Sequence, residues 1–248
     1  MSALTAHPPQ PGATVKILLG GPPYHLGVQT ALCDSEQDVL TWIDVLKRRP
    51  YRDEDDRKAA LQQMAAMLKG YVATADPPLS QLVPELLELY PDAMVICTVR
   101  DIDSWAASME KIAAMVQPTL QMIIFFWIQN LRHLPTMWNL LPKIFEERYQ
   151  SQASLTAEAK ITWERHIKWL EEIVPKDRLF FADVRDGWEP LCRALDVPVP
   201  KDVPFPRLND GKAFEEMFKA WAMQGLMRWA VFVGVCVAVV AGLVMWTR

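Results

Sequence analysis

Three side chains at one predicted strand-to-helix junction are suited to holding an anion. The segment VICTVRDIDSWAASM (95–109) begins as an apolar, β-branched run, reaches Arg100 and continues into a predicted helix. Ser104 and Ser108 are four residues apart, so their hydroxyls lie on one face of that helix, one turn apart. A guanidinium and a hydroxyl beside a helix N-terminus can hold a phosphate through charge-assisted hydrogen bonds. The spacing therefore suggests a phosphate site at this junction.

The same residue types also fit an ordinary turn. Asp103 can cap the following helix, and Arg100 can pair with Asp101, Asp103 or Glu110. In that interpretation the two serines are cap and surface residues. The residues of this junction leave both alternatives open.

Three residues are candidates for a general base that would take a proton from an acceptor. His25 lies in the stretch PPYHL, and Asp76 lies in TADPP before a predicted helix. His166 stands on a predicted helix beside Trp163 and Ile167, a position typical of a histidine at the edge of a core.

The elements that position these residues predict an α/β fold. AMVICTV (93–99) and RLFFADV (178–184) are continuous apolar runs, typical of strands covered on both faces. Residues 15–27 contain a shorter apolar run, which predicts either a strand or the end of a helix followed by a turn. Because strands alternate with helices, we expect a mainly parallel sheet. Arg100 would then lie at the carboxyl end of a central strand, where ligands bind in such sheets.

Most of the remaining chain has apolar residues at helical spacing, which predicts helices. A helix is expected over 35–48, with Ser35 or Asp34 as its cap. Further helices are predicted over 54–72, 79–90, 103–116, 155–174 and 187–195, and from about 211 onward.

Composition excludes several classes of protein. The chain has 248 residues and a net charge of −4, which argues against a nucleic-acid binder. Its four cysteines, at 33, 97, 192 and 236, follow no metal-ligand spacing and suggest buried thiols of a reducing compartment. We therefore expect no metal. No Gly-x-Gly-x-x-Gly follows a predicted strand, which argues against a dinucleotide-dependent oxidoreductase.

The C-terminus predicts a membrane anchor. Residues 229–246, WAVFVGVCVAVVAGLVMW, contain no charged or strongly polar side chain, and tryptophans stand at both ends. Eighteen helical residues span about 27 Å, close to the thickness of a bilayer hydrocarbon core. The alternative is a buried C-terminal helix, but such a helix normally shows a polar stripe. We expect a single-pass, tail-anchored protein with its main domain in the cytosol and the endoplasmic reticulum as its membrane.

A second apolar stretch is too short to span a bilayer. Residues 120–128, LQMIIFFWI, lie within a segment (118–150) rich in Trp, Phe, Met and Pro. The stretch can be core, which we favour, or the wall of a substrate pocket, or a segment lying against the membrane.

Three stretches of the chain resemble the P-loop sulfotransferases, in particular a fungal and bacterial branch found near secondary-metabolite genes. YPDAMVICTVRDIDSWAASM (90–109) looks like the 3′-phosphate segment of that family, with Arg100 and Ser108 at its positions. Residues 70–93 are similar to the segment that precedes it, and residues 174–210 resemble the branch's C-terminal strand, helix and proline loop. The resemblance runs from about residue 22 to 212. It implies a P-loop NTPase-like fold and 3′-phosphoadenylyl sulfate (PAPS) as the sulfuryl donor.

The resemblance also implies a second phosphate site that the sequence lacks. The family uses a Gly-rich loop between a first strand and a helix to hold the 5′-phosphosulfate, about 20 residues before a Pro-x-Tyr-His stretch. Here that stretch is PPYHL (22–26), and no Gly-x-x-x-x-Gly-Lys-Ser/Thr occurs. A protein without this strand and loop, or a gene model without its first exon, would both give this pattern.

These expectations combine into one hypothesis and one alternative. The first is a membrane-anchored, sulfotransferase-like enzyme acting on a lipophilic small molecule in secondary metabolism. The alternative is a non-catalytic relative that serves a biosynthetic pathway as a membrane-bound accessory or scaffold protein. The expected organisation is a disordered N-terminus (1–14), an α/β domain (15–212), a connecting helix (213–228) and the anchor (229–246).

Overall fold

The computed structural model describes residues 14–18, 23–25, 35–149, 159–205 and 211–247. In these ranges the strands are β1 (Thr14–Leu18), β2 (Pro23–His25), β3 (Ala73–Ala75), β4 (Met94–Val99) and β5 (Leu179–Asp183). The helices there are α1 (Glu36–Lys47), α2 (Glu54–Met67), α3 (Val83–Leu89), α4 (Ile102–Met115), α5 (Pro118–Ile124), α6 (Leu134–Tyr149), α7 (Ala159–Ile173), α8 (Trp188–Ala194) and α9 (Gly211–Trp246).

The five described strands form one sheet in the order β2-β3-β1-β4-β5. β2 is parallel to β3, and β4 is parallel to β5, whereas β1 is antiparallel to both of its neighbours. Four of the strands therefore share one direction, which confirms the expected α/β class with a mainly parallel sheet. The prediction was wrong for the centre of the sheet, where β1 runs the other way. β1 forms backbone hydrogen bonds with β3 on one side and with β4 on the other. It therefore pairs with N–H and C=O groups of both strands that would otherwise lack a partner.

β4 explains the continuous apolar run of the sequence. Val95, Ile96 and Cys97 are at most 1% exposed, because helices cover the sheet at this strand. For residues 15–27 the sequence predicted either a strand or the end of a helix followed by a turn. The structure has strands there, since the range includes β2 and all of β1 except Thr14. The predicted disordered segment 1–14 lies outside the described residues except for Thr14, which begins β1.

The core lies between the sheet and the helices α1, α3, α6 and α7. Trp42 of α1 is fully buried and donates its indole N–H to the hydroxyl of Tyr24, at 2.7 Å. Leu86 of α3 and Leu170 of α7 are also fully buried. Ser35 caps α1 by accepting from the amide of Asp38, as the sequence predicted.

A buried ionic network joins α3 and α6 to the chain after α1. Glu85 of α3 accepts two hydrogen bonds of 2.8 Å from Arg148 of α6 and a further bond from Arg49. The Arg49 and Glu85 side chains are only 2% and 4% exposed. Glu147 also pairs with Arg49, so this guanidinium contacts two carboxylates. The two arginines lower the pKa of Glu85 even though burial opposes its ionisation.

α9 is one continuous helix that includes the predicted connecting helix and the predicted anchor. Its segment Glu215–Trp246 is long and apolar enough to cross a membrane, and an 18-residue window within it has a mean hydropathy of 2.4. Side chains from Val231 to Trp246 are exposed, so the alternative of a buried C-terminal helix is wrong.

Candidate functional site

The predicted site residues lie along one edge of the sheet. β2, β3, β4 and β5 all end at this carboxyl edge, because the intervening β1 is antiparallel to both β3 and β4. His25 ends β2, Asp76 follows β3, and Arg100 follows β4. α4 begins two residues after Arg100 and carries Ser104 and Ser108.

Arg100 is a half-buried cation at the junction of β4 and α4. Burial lowers the pKa of its guanidinium, and the negative charge of Asp101 offsets part of this effect. No carboxylate of the described residues lies within salt-bridge distance of Arg100. A partly desolvated cation without a paired carboxylate is stabilised when an anion binds beside it.

The carboxylates that the alternative interpretation assigned to Arg100 have other contacts. Asp101 caps α4, with the Ser104 amide donating to its carboxylate at 2.8 Å. This corrects the prediction that Asp103 is the cap. Asp103 instead pairs with Lys160 of α7. Glu110 is exposed and forms no ion pair with Arg100.

The two serines differ in their surroundings. Ser104 is exposed and its amide and hydroxyl both bond to Asp101, which lowers the pKa of that carboxyl. This is the cap role that the alternative interpretation expected for one of them. Ser108 is half-buried one turn further along α4. Of the two, Ser108 is therefore the one whose hydroxyl the cap does not use.

Two further cations lie near the start of α4, and the sequence analysis missed both. Lys160 and Arg185 each lower the pKa of Asp101 through their charge. Lys160 comes from α7, and Arg185 follows β5, where its Nε donates to Asp183 at 2.9 Å. Both are far from Arg100 in sequence, so only the parallel pairing of β4 with β5 and the packing of α7 bring them to this place.

His25 ends β2 and Asp76 follows β3, and neither strand pairs with β4. The register aligns His25 with Ala75, and Ala75 with Ile96 through Lys16 of β1. With about 4.8 Å between strands, β2 lies roughly 14 Å and β3 roughly 10 Å from β4. Along the carboxyl edge, the backbone of Asp76 is therefore nearer to Arg100 than that of His25.

Asp76 has an unusual backbone. Its φ of 65° lies in the left-handed region, which aspartate tolerates better than most residues. Its carbonyl accepts from the Ser80 amide at 3.2 Å, which starts the short 3-10 turn Leu79–Gln81. The half-buried Asp76 side chain thus sits on a tight turn at the carboxyl edge.

His166 is a core residue and not an accessible base. Its ring is 6% exposed, and burial lowers its pKa to about 3. Its Nδ1 lies 2.6 Å from the hydroxyl of Tyr149. That hydroxyl also accepts a hydrogen bond from the side-chain amide of Gln81. This confirms the sequence interpretation of a histidine packed among apolar residues.

The described residues contain no group of three or more metal-ligating side chains. A shallow surface depression lies at the amino edge of the sheet, between α2 and the start of β4, and is lined by Lys69, Tyr90 and Asp92 among others. It is on the side opposite Arg100, so we do not assign the site to it.

Comparison with known proteins identifies the family. Residues 12–214, which are most of the chain, match the family model of the sulfotransferase domain. The chain belongs to the sulfotransferase domain family. It is also 28% identical, over 214 residues, to Ava biosynthesis cluster protein M of Aspergillus versicolor. That alignment covers 82% of this chain and 78% of the relative.

Family membership indicates the kind of donor that the domain uses. A sulfotransferase domain implies a sulfuryl donor such as PAPS. The matched range contains β4, Arg100 and α4, as well as the 174–210 stretch that resembles the C-terminal strand, helix and proline loop of the family. The resemblance expected over residues 22–212 is therefore confirmed for the sulfotransferase domain.

Proposed function

We propose that this protein is a membrane-attached sulfotransferase that transfers a sulfuryl group from PAPS to a lipophilic small molecule in a biosynthetic pathway. The observation that carries the proposal is Arg100, a half-buried cation without a carboxylate partner among the described residues, at the carboxyl end of a strand of a sulfotransferase domain. The likeness to a biosynthesis cluster protein supports the assignment to a pathway.

In this proposal the start of α4 binds the 3′-phosphate of the donor. Arg100 supplies charge-assisted hydrogen bonds, and Ser108 supplies a hydroxyl about two helical turns beyond the cap. Ser104 has a smaller part, because it already bonds to Asp101. The N-terminus of a fourteen-residue helix adds a favourable dipole for the anion.

The transfer step needs a base on the acceptor side. The acceptor oxygen attacks the sulfur, the bond from sulfur to the bridging phosphate oxygen breaks, and adenosine 3′,5′-bisphosphate leaves with that oxygen. The acceptor proton passes to a side chain at the carboxyl edge, with Asp76 and His25 as the candidates. Asp76 is preferred because β3 lies one strand closer to β4 than β2 does.

The membrane assignment rests on α9. α9 contains an exposed 18-residue window with a mean hydropathy of 2.4, and residues 229–246 match the hydrocarbon thickness of a bilayer. We propose that this segment is a single-pass C-terminal anchor, with the main domain cytosolic and the endoplasmic reticulum as its membrane. A lipophilic acceptor dissolved in that membrane would reach the domain by lateral diffusion.

A transfer assay tests the proposal. The full chain, in detergent micelles, is incubated with ³⁵S-labelled PAPS and a panel of apolar phenols and alcohols, and label extracted into organic solvent is counted. Wild type should transfer label, and Arg100→Ala should be slower by about 10- to 100-fold at low donor concentration, because it loses a charge-assisted hydrogen bond to the 3′-phosphate. Arg57→Ala, which removes an arginine of α2 that pairs with Glu88, should match wild type. Loss of transfer with donor binding retained, in Asp76→Asn or His25→Gln, would identify the base.

One observation favours the non-catalytic alternative. β1 runs antiparallel to its neighbours, so its end at Leu18 lies at the edge opposite Arg100. A loop that holds the 5′-phosphosulfate has to follow a central strand at the carboxyl edge, and β1 is the wrong way round to provide it. An accessory protein that binds the donor or its product but does not turn over would give binding without transfer in the same assay.

A further inference from the structure

α5 and the turn after it present apolar side chains to solvent. Leu120, Met122, Ile123 and Phe126 are each more than half exposed. The chain carries no charged side chain from residue 112 to 131. An exposed apolar surface without charges indicates a contact site. The favoured prediction that residues 120–128 are core is therefore only partly right, since Phe125 and Ile128 are buried but most of their neighbours are not.

α9 packs directly against this surface. At Gly225 an added Cβ would lie 2.2 Å from the carbonyl oxygen of Ile124, so only glycine permits the approach. The indole N–H of Trp229 donates to the carbonyl of Ile123 at 2.7 Å. Arg228 donates to the carbonyl of Trp127. These contacts fix the height of α5 along α9.

Along α9, α5 lies at the level where the apolar run 229–246 begins. The ring of Trp127 lies 5.6 Å from that of Trp229 and 5.0 Å from that of Phe232. Phe232 stands three residues into the charge-free run 229–246, or about 4.5 Å along the helix. When α9 crosses a bilayer, Trp127 and Phe126 are therefore carried to the level where lipid headgroups meet the acyl chains, the level that tryptophan prefers.

We propose that residues 118–128 form a second membrane contact, an interfacial segment that lies in the bilayer surface beside α9. This inference rests on the membrane attachment proposed above for α9. A lipid surface is the occupant because the rings of Phe126 and Trp127 contact Trp229 and Phe232, where the exposed apolar face of α9 begins. The carbonyl bonds of Arg228 and Trp229 then hold the domain at a defined height above the membrane.

Spin-label accessibility tests this inference on the full chain. Cys33 and Cys236 are replaced by serine, and the buried Cys97 and Cys192 are kept. Single cysteines are then introduced as Phe126→Cys, Ile123→Cys, Val237→Cys and Val203→Cys. The labelled proteins are reconstituted in phosphatidylcholine nanodiscs, and collision with oxygen is compared with collision with a water-soluble nickel complex. Val203 is an exposed valine far from α9 in sequence and serves as the solvent control.

The expected result is preferential collision with oxygen at positions 123, 126 and 237, and with nickel at 203. Oxygen preference at 237 with nickel preference at 123 and 126 would overturn the interfacial segment and leave the anchor standing. Nickel preference at 237 would overturn the anchor and this inference with it. Protection of 126 from both reagents would mean that protein, for example a second copy of the chain, covers the surface, which also contradicts the inference.

Discussion

Removing the charge of Glu85 should destabilise the domain far more than removing the charge of Glu88 one turn away on the same helix. The Glu85 side chain is 4% exposed and contacts Arg49 and Arg148, whose side chains are 2% and 14% exposed. Glu85→Gln removes the negative charge that balances the positive charges of these two guanidiniums, which are largely shielded from water. Breaking a buried ion pair in this way costs about 3–5 kcal/mol. Because Glu147 still pairs with Arg49, we expect a value near the lower end.

Glu88→Gln is the matched control. Glu88 pairs with Arg57, and the two side chains are 43% and 32% exposed, so the loss should be about 0–1 kcal/mol. The assay is urea unfolding of the full chain in detergent micelles, followed by tryptophan fluorescence. An equal loss of stability in the two variants would refute the reasoning.

The same network predicts a pH dependence with a defined sign. The pKa of Glu85 is lowered in the folded protein from a reference value of 4.5. Its contribution to stability is therefore fully present above pH 4.5 and is lost as the pH falls further. The difference between wild type and Glu85→Gln should accordingly shrink below pH 4.5. A difference that stays constant from pH 7 to pH 3 would contradict the assignment of the effect to this carboxylate.

Three further predictions follow from local contacts. Burial lowers the pKa of His166 to about 3, so wild type should lose stability as the pH falls from 7 to 5, and His166→Asn should remove that slope in urea unfolding. Gly225→Leu should speed amide exchange in residues 118–128, whereas Gly234→Leu, with open space around it, should not. Asp101→Ala should lower the thermal midpoint more than Asp103→Ala, because Asp101 caps α4; equal shifts would contradict the cap.

The sequence predicted the elements around Arg100 because local signals suffice there. β4 is buried on both faces, so its residues are all apolar, and α4 starts with a capping aspartate soon after the strand ends. Even so, the choice between Asp101 and Asp103 as the cap depends on the residue at which α4 begins, and the helix begins at Ile102, directly after Asp101. The local sequence does not distinguish between two aspartates that are two residues apart.

The direction of β1 could not be predicted from the sequence. An apolar run of five residues fits a parallel or an antiparallel strand equally well, and its direction depends on which neighbours pair with it. Lys160 and Arg185 were missed for the same reason, since they reach the start of α4 only through tertiary packing.

The prediction that residues 120–128 are core was only partly right, because hydrophobicity alone does not distinguish a buried segment from an exposed one. Phe125 and Phe126 are adjacent and identical in type, yet one is 1% and the other 51% exposed. The deciding contacts are those of Gly225, Arg228 and Trp229 on a helix about 100 residues later.

Calorimetric titration of adenosine 3′,5′-bisphosphate into the full chain, in detergent micelles, tests the central claim most directly, because it needs no knowledge of the acceptor. The account predicts saturable binding to wild type and to the control Arg57→Ala, which removes an arginine paired with Glu88. Arg100→Ala should bind about 10- to 100-fold more weakly, the effect of losing a charge-assisted hydrogen bond. No binding to folded wild type, or equal binding by wild type and Arg100→Ala, would contradict the assignment of a nucleotide site to the junction of β4 and α4.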